Sequence, residues 1–334
     1  MKKDDGGFII TGDWHCHAWR EGGEPVNGVN NRIRDFLGSI DFLEVYAIKH
    51  NIMKIFHLGD VYHLKKNIPL EAYNILCERL YALTESCEIE FIVGNHDRDD
   101  DRREVVTILP FQSFARVYTN PWIDTDREIV FIPWLYEQAK VREFLRKLPK
   151  KDYKMLLFHG ELDGAEVGPT DYTLKSKMTE QIIQPKRFEA IFAGHLHKRQ
   201  HLKGVRYPGS LLPKDFGELE TDKGFLHVLE SGDVIPVRVP SPSFLGFAFD
   251  KNPSDTVLEK LLKTIPGQFV RIISTQPLDP SIVKQLDAAG PRYLNLRLAK
   301  IDGELPVAPN PQSQSFEDRV STYVKQKGVT DDLA

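Results

Sequence analysis

Five short segments far apart in the chain carry residue types that bind divalent cations. They are Gly12-Asp13-Trp14-His15, Gly59-Asp60-Val61-Tyr62-His63, Gly94-Asn95-His96-Asp97, His159-Gly160 and Gly194-His195-Leu196-His197. Two divalent cations held about 3.5–4 Å apart can clamp a phosphoester and activate water between them. Mixed oxygen and nitrogen ligands without a thiolate favour manganese, iron or zinc over magnesium. The set therefore predicts phosphoester hydrolysis at a two-metal centre.

Two cations need one anionic ligand that can bridge them, and Asp60 is the natural candidate. Asp13 and His15 stand two residues apart, so both can reach one cation if the chain bends there. His195 and His197 have the same spacing and could serve different cations. An amide oxygen and a further imidazole come from Asn95 and His159.

The elements that must position these residues alternate short apolar runs with longer amphipathic stretches, which predicts an α/β fold. Five buried strands are predicted over residues 8–11, 53–58, 89–93, 155–158 and 190–193. Helical periodicity covers residues 29–50 and 69–86. Each strand ends in one of the five segments, and open α/β sheets bind ligands beyond the carboxyl ends of their strands. We therefore expect the segments to converge.

The last third of the chain has a different organisation. A turn at Tyr207-Pro208-Gly209-Ser210 precedes a predicted hairpin of residues 224–230 and 234–239. Residues 255–265 and 280–289 are predicted helices, and 269–274 and 292–298 are predicted strands. We expect a main domain over 1–240 and a small α+β domain over 241–304. Residues 305–334 would form a linker and one helix, whose apolar face could dock on a partner or on its own core.

Composition narrows the choice of partners and compartment. The 334 residues have a formal net charge of −4, so contact with nucleic acid must come from local basic loops. Three unpaired cysteines fit a reducing cytoplasm. The first seven residues lack the apolar run of a signal peptide, and no other apolar run is long enough to span a bilayer. We expect a cytoplasmic protein with no membrane contact.

The five segments resemble the calcineurin-like metallophosphoesterase superfamily, whose pattern is D-x-H, G-D, G-N-H-D, H and G-H-x-H. The resemblance covers about residues 8–235 and implies two mixed β-sheets packed face to face and flanked by helices. It implies that the first cation takes Asp13, His15, Asp60 and His197, and the second takes Asp60, Asn95, His159 and His195. It also implies that His96 is an unliganded acid near the leaving group, oriented by Asp97.

Features outside the ligand set narrow the resemblance. Protein Ser/Thr phosphatases carry G-D-x-V-D-R-G and G-N-H-E, and this chain lacks both the Asp-Arg-Gly and the Glu. The chain is more similar to SbcD-type nucleases, which have a second active-site histidine where His63 stands. The turn at Tyr207-Pro208-Gly209-Ser210, followed by Phe216-Gly217-Glu218 and Lys223-Gly224-Phe225, continues the resemblance. The small second domain occupies the position of that family's DNA-capping domain.

This resemblance implies a manganese-dependent nuclease that removes nucleotides from DNA ends, 3′ to 5′, and cuts single strands internally. It implies two Mn²⁺ ions, a homodimer, and an SMC-like ATPase partner of the SbcC type in recombination or double-strand-break repair. The site of action would be the nucleoid, or a host cytoplasm for a phage protein. His63 would position the scissile phosphate or the DNA backbone. Candidate DNA contacts, which could equally be solvated surface charges, are Lys65, Lys66, Arg98, Arg102, Arg103, Lys198 and Arg199.

Two other functions stay open. A stand-alone phosphodiesterase or phosphatase for a small nucleotide would share the metal site but would not need a DNA-capping domain. A non-catalytic scaffold would keep the fold, although the intact ligand set and His96 argue against it. Trp14 and Trp19, beside the first segment, could stack on a base or pack in the core.

Overall fold

The computed structural model describes residues 6–101, 104–168, 172–219 and 222–299. The chain divides into two units, Met1–Leu212 with Asp222–Ser241, and Pro213–Thr221 with Pro242–Ala334. The sequence predicts a single boundary at residue 240, but residues 213–221 also belong to the second unit. They do so because Phe216 and Leu219 bury their side chains with Phe244 and Phe269. The predicted linker and helix over 305–334 lie outside the described residues.

The described part of the first unit contains fourteen strands and four α-helices. In chain order these are β1 (Phe8–Thr11), β2 (Pro25–Val26), β3 (Val29–Asn30), α1 (Asn31–Lys49), β4 (Lys54–His57), α2 (Leu70–Leu83), β5 (Glu88–Ile92), β6 (Arg116–Tyr118), β7 (Trp122–Asp124), β8 (Ile129–Ile132), α3 (Gln138–Lys147), β9 (Tyr153–His159), α4 (Glu180–Ile183), β10 (Phe188–Gly194), β11 (Gln200–Leu202), β12 (Val205–Tyr207), β13 (Gly224–Val228) and β14 (Val234–Arg238).

Twelve of these strands form two six-stranded sheets. The first sheet has the order β14-β13-β1-β4-β5-β6, and the second has the order β11-β12-β10-β9-β8-β7. In the first sheet β1, β4, β5 and β6 are parallel, and β13 runs antiparallel to both of its neighbours, β1 and β14. In the second sheet β12, β10, β9 and β8 are parallel, with antiparallel β11 and β7 at the edges. Both sheets are mixed, which confirms the predicted sandwich.

Alternation of side chains along the strands gives each sheet two buried faces. Ile10 and Phe56 of the first sheet pack with Leu157 and Phe192 of the second, so one apolar layer lies between the sheets. The neighbouring residue Ile9 points to the opposite face and joins the layer under α1 and α2. A third layer buries the second sheet with α3. Burial of such side chains contributes about 1.5–3 kcal/mol each, so these layers dominate the stability of the unit.

Helix α1 shows how the sequence sets an element beside the site. The Asn30 side chain accepts hydrogen bonds from the main-chain N–H groups of Arg32 and Ile33, at 2.9 and 3.4 Å. Such an N-cap fixes the start of a helix, and Val29–Asn30 is taken up by β3, so α1 begins later than predicted. Its apolar face buries Phe36 and Ile40 against the first sheet. Among the described residues, no helix combines the length and the apolar character needed to cross a membrane.

The second unit is a small three-stranded α/β layer. It contains β15 (Phe244–Phe249), α5 (Asp255–Thr264), β16 (Phe269–Ser274), α6 (Pro280–Ala288) and β17 (Tyr293–Leu298). The sheet order is β15-β16-β17 and all pairs are parallel. Side chains of Ser254 and Asp279 cap the two helices. Leu261 and Leu286 of the helices pack with Val270 and Ile272 of the central strand.

Candidate metal centre

Five strands from both sheets deliver the motif residues to one place. Strands β1, β4 and β5 of the first sheet end just before the segments that contain Asp13, Asp60 and Asn95. In the second sheet β9 ends on His159, and β10 ends immediately before His195. Because both sets of strands are parallel, their carboxyl ends lie at the same edge of each sheet. The centre therefore combines residues of the two sheets.

The first group of donors consists of Asp13, His15 and His197. One ligand atom from each lies within 4.8 Å of the others. The Nε2 atoms of His15 and His197 approach to 2.9 Å, and Asp60 Oδ2 lies 3.6 Å from His15 Nε2. Nitrogen and oxygen lone pairs thus face one small volume.

The second group consists of Asp60, Asn95, His159 and His195. Asn95 Oδ1 lies 2.9 Å from both His159 Nε2 and His195 Nδ1. Asp60 Oδ1 lies 3.6 Å from His159 Nε2. The two carboxylate oxygens of Asp60 therefore face different groups of donors. All seven residues predicted from the sequence come together here.

The backbone bends sharply where these donors stand. Asp13, His15, Asp60 and His195 have φ values of 51°, 47°, 60° and 96°, in the left-handed region that residues other than glycine rarely adopt. Such a conformation costs on the order of 1–2 kcal/mol per residue. Strain of this kind accumulates at functional sites. The bend at Asp13 and His15 is the one that their spacing required.

Glycine permits the close approach of the segments. A Cβ atom on Gly94 would lie 2.2 Å from Asp60 Oδ1, and one on Gly59 would lie 2.5 Å from His159 Nδ1. Real Cβ atoms do not come so near to other heavy atoms. The glycines of these two segments are therefore needed for packing around the donors.

Asp97 supports the main chain of the centre. Its buried carboxylate accepts hydrogen bonds from the N–H groups of Asp60, Val61 and Gly94, at 2.8, 2.9 and 2.8 Å. The prediction that Asp97 orients the His96 side chain is therefore wrong. His96 Nδ1 lies 2.5 Å from the main-chain oxygen of His63 instead. Asp97 binds backbone because its side chain folds back towards Asp60 and Gly94.

Burial sets the protonation of the donors. It opposes ionisation of Asp60, but the neighbouring imidazoles of His159 and His96 and the main-chain N–H of His96 favour the carboxylate and hold the pKa of Asp60 below its usual value. Burial lowers the pKa of His195 to about 3 and also lowers the pKa of His159. Neutral imidazoles and an ionised carboxylate are the forms that bind cations. The His159 Nδ1 atom lies 2.6 Å from the Leu58 carbonyl, which directs Nε2 to the donors. The residues present fit divalent cations.

A cluster of aromatic rings adjoins the first group. His63 and His96 stack at 5.6 Å between ring centroids, and the His96 ring lies 4.6 Å from that of His15. Trp19 packs on His63 at 4.4 Å. Trp14 is 3% exposed and its Nε1 donates to Thr11 Oγ1, so Trp14 is a core residue and not a base-stacking surface.

Residues that follow β12 and precede β13 hold the loop of His197. Gly209 has a φ of 77°, and a Cβ atom there would meet the His197 carbonyl oxygen at 2.9 Å. Lys223 is buried and its Nζ donates to that same carbonyl at 2.9 Å and to Ser210 Oγ at 2.8 Å. The motifs 207–210 and 223–225 are thus supports of the metal centre.

The basic residues predicted to contact DNA differ in availability. Lys65 forms an ion pair with Asp100 at 2.7 Å, Lys66 pairs with Asp99 at 3.1 Å, and Lys198 pairs with Glu166. Arg98 is 7% exposed and donates to the Thr119 carbonyl. A buried guanidinium cannot line a DNA surface, so that assignment is wrong. The Arg199 Nε donates to the Pro208 carbonyl at 3.1 Å. Arg102 and Arg103 lie outside the described residues.

Sequence reasoning missed one residue of the site, Trp134. Its indole ring stacks on the imidazole of His195, with centroids 5.2 Å apart and planes 20° apart. Trp134 follows β8 in the sequence Ile132-Pro133-Trp134, which contains no metal-binding residue. An aromatic residue directly after a buried strand is the only local signal.

Residues 7–199, more than half of the chain, match the calcineurin-like phosphoesterase family. The chain belongs to this family, whose members bind divalent metals. It is similar to Exonuclease subunit 1 of Enterobacteria phage T4, with 23% identity over 235 residues, or 65% of this chain and 63% of that protein. It is also similar to an uncharacterised protein of Acanthamoeba polyphaga mimivirus, with 22% identity over 86% of this chain and 23% of that protein. The chain thus spans less than two thirds of either relative.

Among solved structures, the chain is similar to a nuclease, MPE, of Pseudomonas putida. The identity is 13%, the match covers 69% of this chain and 87% of that one, and the TM-score is 0.32.

Proposed function

We propose that this chain is a two-metal DNA nuclease that hydrolyses phosphodiester bonds at DNA ends. The observation that supports this most is the position of Asp60, with one carboxylate oxygen towards each donor group and His63 and His96 stacked beside them. Membership of a phosphoesterase family agrees with the chemistry. The similarity to a phage exonuclease subunit favours DNA as the substrate.

Two cations, Mn²⁺ in this proposal, would occupy the two donor groups. Asp13, His15 and His197 would hold one, Asn95, His159 and His195 the other, and Asp60 would bind both. When bound, the cations supply positive charge to the phosphate oxygens and make water a stronger nucleophile near neutral pH.

Side chains beside the two donor groups would act on the leaving group and on the DNA backbone. His96 Nδ1 donates to the His63 carbonyl, so Nε2 of the protonated imidazolium is the nitrogen that would give a proton or a hydrogen bond to the departing sugar oxygen. His63, held between the rings of Trp19 and His96, would contact the phosphate or the neighbouring backbone. Asp97 keeps the main chain of Asp60 and Gly94 in place during the reaction.

Partners follow from the resemblance to SbcD-type nucleases. We infer 3′ to 5′ removal of nucleotides, cutting of single strands, and a role in recombination or break repair at the nucleoid or in a host cytoplasm. We also infer a homodimer and an SMC-like ATPase partner of the SbcC type. The phage relative is named as a subunit, which supports a partner protein. The second unit would cap the DNA.

A parallel assay tests this function. The purified chain is incubated with Mn²⁺ and end-labelled duplex DNA, and separately with an aryl phosphodiester. We expect loss of the DNA label and slower turnover of the small ester. Hydrolysis of the ester with the DNA label intact would support a small-nucleotide phosphodiesterase and overturn the nuclease proposal. Asp60→Asn provides the inactive control in both arms.

A further inference from the structure

Trp134 contacts the strand ends that supply three members of the second donor group, Asn95, His159 and His195. Its ring stacks on His195 at 5.2 Å, and it meets the ring of His159 edge-on at 6.1 Å. Its main-chain N–H donates to the Val93 carbonyl at 2.8 Å, two residues before Asn95. Trp134 follows β8 of the second sheet, whereas Val93 follows β5 of the first. One residue therefore connects the strand ends that carry Asn95, His159 and His195.

The two imidazoles of this group are oriented by different means. A metal-binding histidine normally donates its second N–H to a carbonyl or carboxylate, which fixes the plane of the ring. His159 does so through Nδ1 and the Leu58 carbonyl, at 2.6 Å. His195 directs Nδ1 at Asn95, and among the described residues its Nε2 has no protein hydrogen-bond partner. The plane of the His195 ring must then be set by packing.

Two aromatic rings pack on His195 in the described part of the chain. His159 meets it edge-on, at 5.2 Å and 74°, and Trp134 lies nearly parallel to it. A parallel offset stack restricts rotation of the imidazole about its χ2 axis, because rotation would drive the ring edge into the indole face. Aromatic pairs of this kind contribute about 0.5–1.5 kcal/mol beyond the apolar area they bury.

We propose that Trp134 is a positioning residue for one of the two cations. It holds the His195 ring with Nδ1 towards Asn95, and so it supports the cation bound by Asp60, Asn95, His159 and His195. The cation at Asp13, His15 and His197 does not depend on it. This proposal rests on the metal assignment made above, and not on DNA as the substrate.

Metal binding tests the proposal directly, without cleavage as the readout. The full chain and three variants, Trp134→Phe, Trp134→Leu and Trp122→Leu, are titrated with Mn²⁺ by calorimetry and by electron paramagnetic resonance of free Mn²⁺. Trp122 is 57% exposed on the edge strand β7 and gives the matched control. Circular dichroism melts identify variants that fail to fold.

The expected result is selective. Trp134→Leu should bind one Mn²⁺ with unchanged affinity and the other about 10–100-fold more weakly, the range typical of residues that orient metal ligands. Trp134→Phe keeps an aromatic face and should lose less affinity than Trp134→Leu. Trp122→Leu should bind as the wild type does.

Two outcomes would overturn the positioning role. The first is a folded Trp134→Leu that binds both ions as tightly as the wild type, and the second is an equal loss of affinity at both sites. Fluorescence adds a separate check, since paramagnetic Mn²⁺ quenches nearby indoles and Trp134→Phe should lose the part of that quenching that comes from Trp134, while Trp14 and Trp19 beside the first donor group account for the rest. A wild type that binds fewer than two Mn²⁺ would contradict the metal assignment instead, so the two failures are distinguishable.

Discussion

The buried Asp97 carboxylate accepts a hydrogen bond from the main-chain N–H of Asp60, and the Asp60 nitrogen lies 2.8 Å from Asp97 Oδ2. The same oxygen accepts from Gly94 N, and the other oxygen accepts from Val61 N. One side chain thus fixes the backbone of two metal-binding segments that are distant in sequence. The role of Asp97 is therefore to set the shape of the centre.

Asp97→Asn should destabilise the protein and weaken metal binding. An amide has one acceptor oxygen, and its NH₂ group would face N–H donors, so at least one buried N–H loses its partner. Each such loss costs about 1–3 kcal/mol. Urea unfolding and Mn²⁺ calorimetry measure the two effects. The exposed Asp126→Asn is the matched control, and an Asp97→Asn protein as stable as that control would contradict the role assigned to Asp97.

Gly94→Ala should abolish binding of both cations. The new methyl group would lie 2.2 Å from Asp60 Oδ1 and must displace the bridging carboxylate. Gly38→Ala serves as the control, because Gly38 is exposed in α1 and a methyl group added there would have open space within 4 Å. That control should gain about 0.5–1 kcal/mol in unfolding free energy, since alanine is the better helix former. Wild-type Mn²⁺ binding by Gly94→Ala would refute the packing argument.

His96→Ala should bind both cations and lose most DNA cleavage. His96 is assigned to the leaving group and not to a cation, and positioned general acids contribute about 10²–10⁴-fold to rate. Gel assays on end-labelled DNA and parallel Mn²⁺ titration give the two readouts. His201→Ala, at an exposed position of β11, is the control. Cleavage at the wild-type rate would show that the assignment of His96 is wrong.

Ionisation of Glu90 should make the free energy of unfolding depend on pH in the acid range. Its side chain is buried on β5 and accepts hydrogen bonds from Lys54 and Arg127, at 2.9 and 2.5 Å. Burial raises the pKa of Glu90, but the Arg127 guanidinium and the Lys54 ammonium more than offset this effect and hold the pKa below its ordinary value. The stabilisation is therefore complete above the unfolded-state pKa of about 4.3 and is lost as pH falls through the lower folded-state pKa.

Glu90→Gln tests this dependence. Its unfolding free energy should lie on the order of 2 kcal/mol below that of the wild type at neutral pH. The gap should narrow as the pH falls below the unfolded-state pKa of about 4.3 and close in the acid range below the folded-state pKa, where the wild-type Glu90 is protonated too. Urea unfolding across this range provides the measurement. Glu143→Gln, which removes an exposed partner of Lys147 on α3, should show no such gap. If the difference in unfolding free energy between Glu90→Gln and the wild type persists in acid, the poor fit of the glutamine side chain and not the loss of the Glu90 charge would be its cause.

The sequence predicts the convergence of the five segments because each follows an apolar run long enough to be a buried strand. The strand limits are less predictable. β9 and β10 begin at Tyr153 and Phe188, earlier than predicted, because the exposed residues Lys154 and Glu189 interrupt the apolar pattern at their outer ends. Local periodicity cannot reveal that such residues still pair within a sheet.

Contacts made through the tertiary structure were not predictable. Arg98 stands in an acidic and basic run that indicates a solvated loop, yet it is buried because the distant Thr119 carbonyl accepts its hydrogen bond. The residues Ile132 and Pro133 before Trp134 do not suggest a metal centre, and its partner His195 follows a different strand of the same sheet, β10. Asp97 accepts hydrogen bonds from main-chain N–H groups, and the sequence does not show whether an aspartate binds main-chain groups or a neighbouring side chain.

The strand order has a consequence for synthesis of the chain. β1, which leads to Asp13, lies between β4 and β13, and β13 is among the last strands of its unit to leave the ribosome. The donors His195 and His197 also come late. A growing chain therefore has an incomplete first sheet and lacks two imidazoles until most of the unit has been made. The complete set of donors is therefore available only after the chain has been translated past His197.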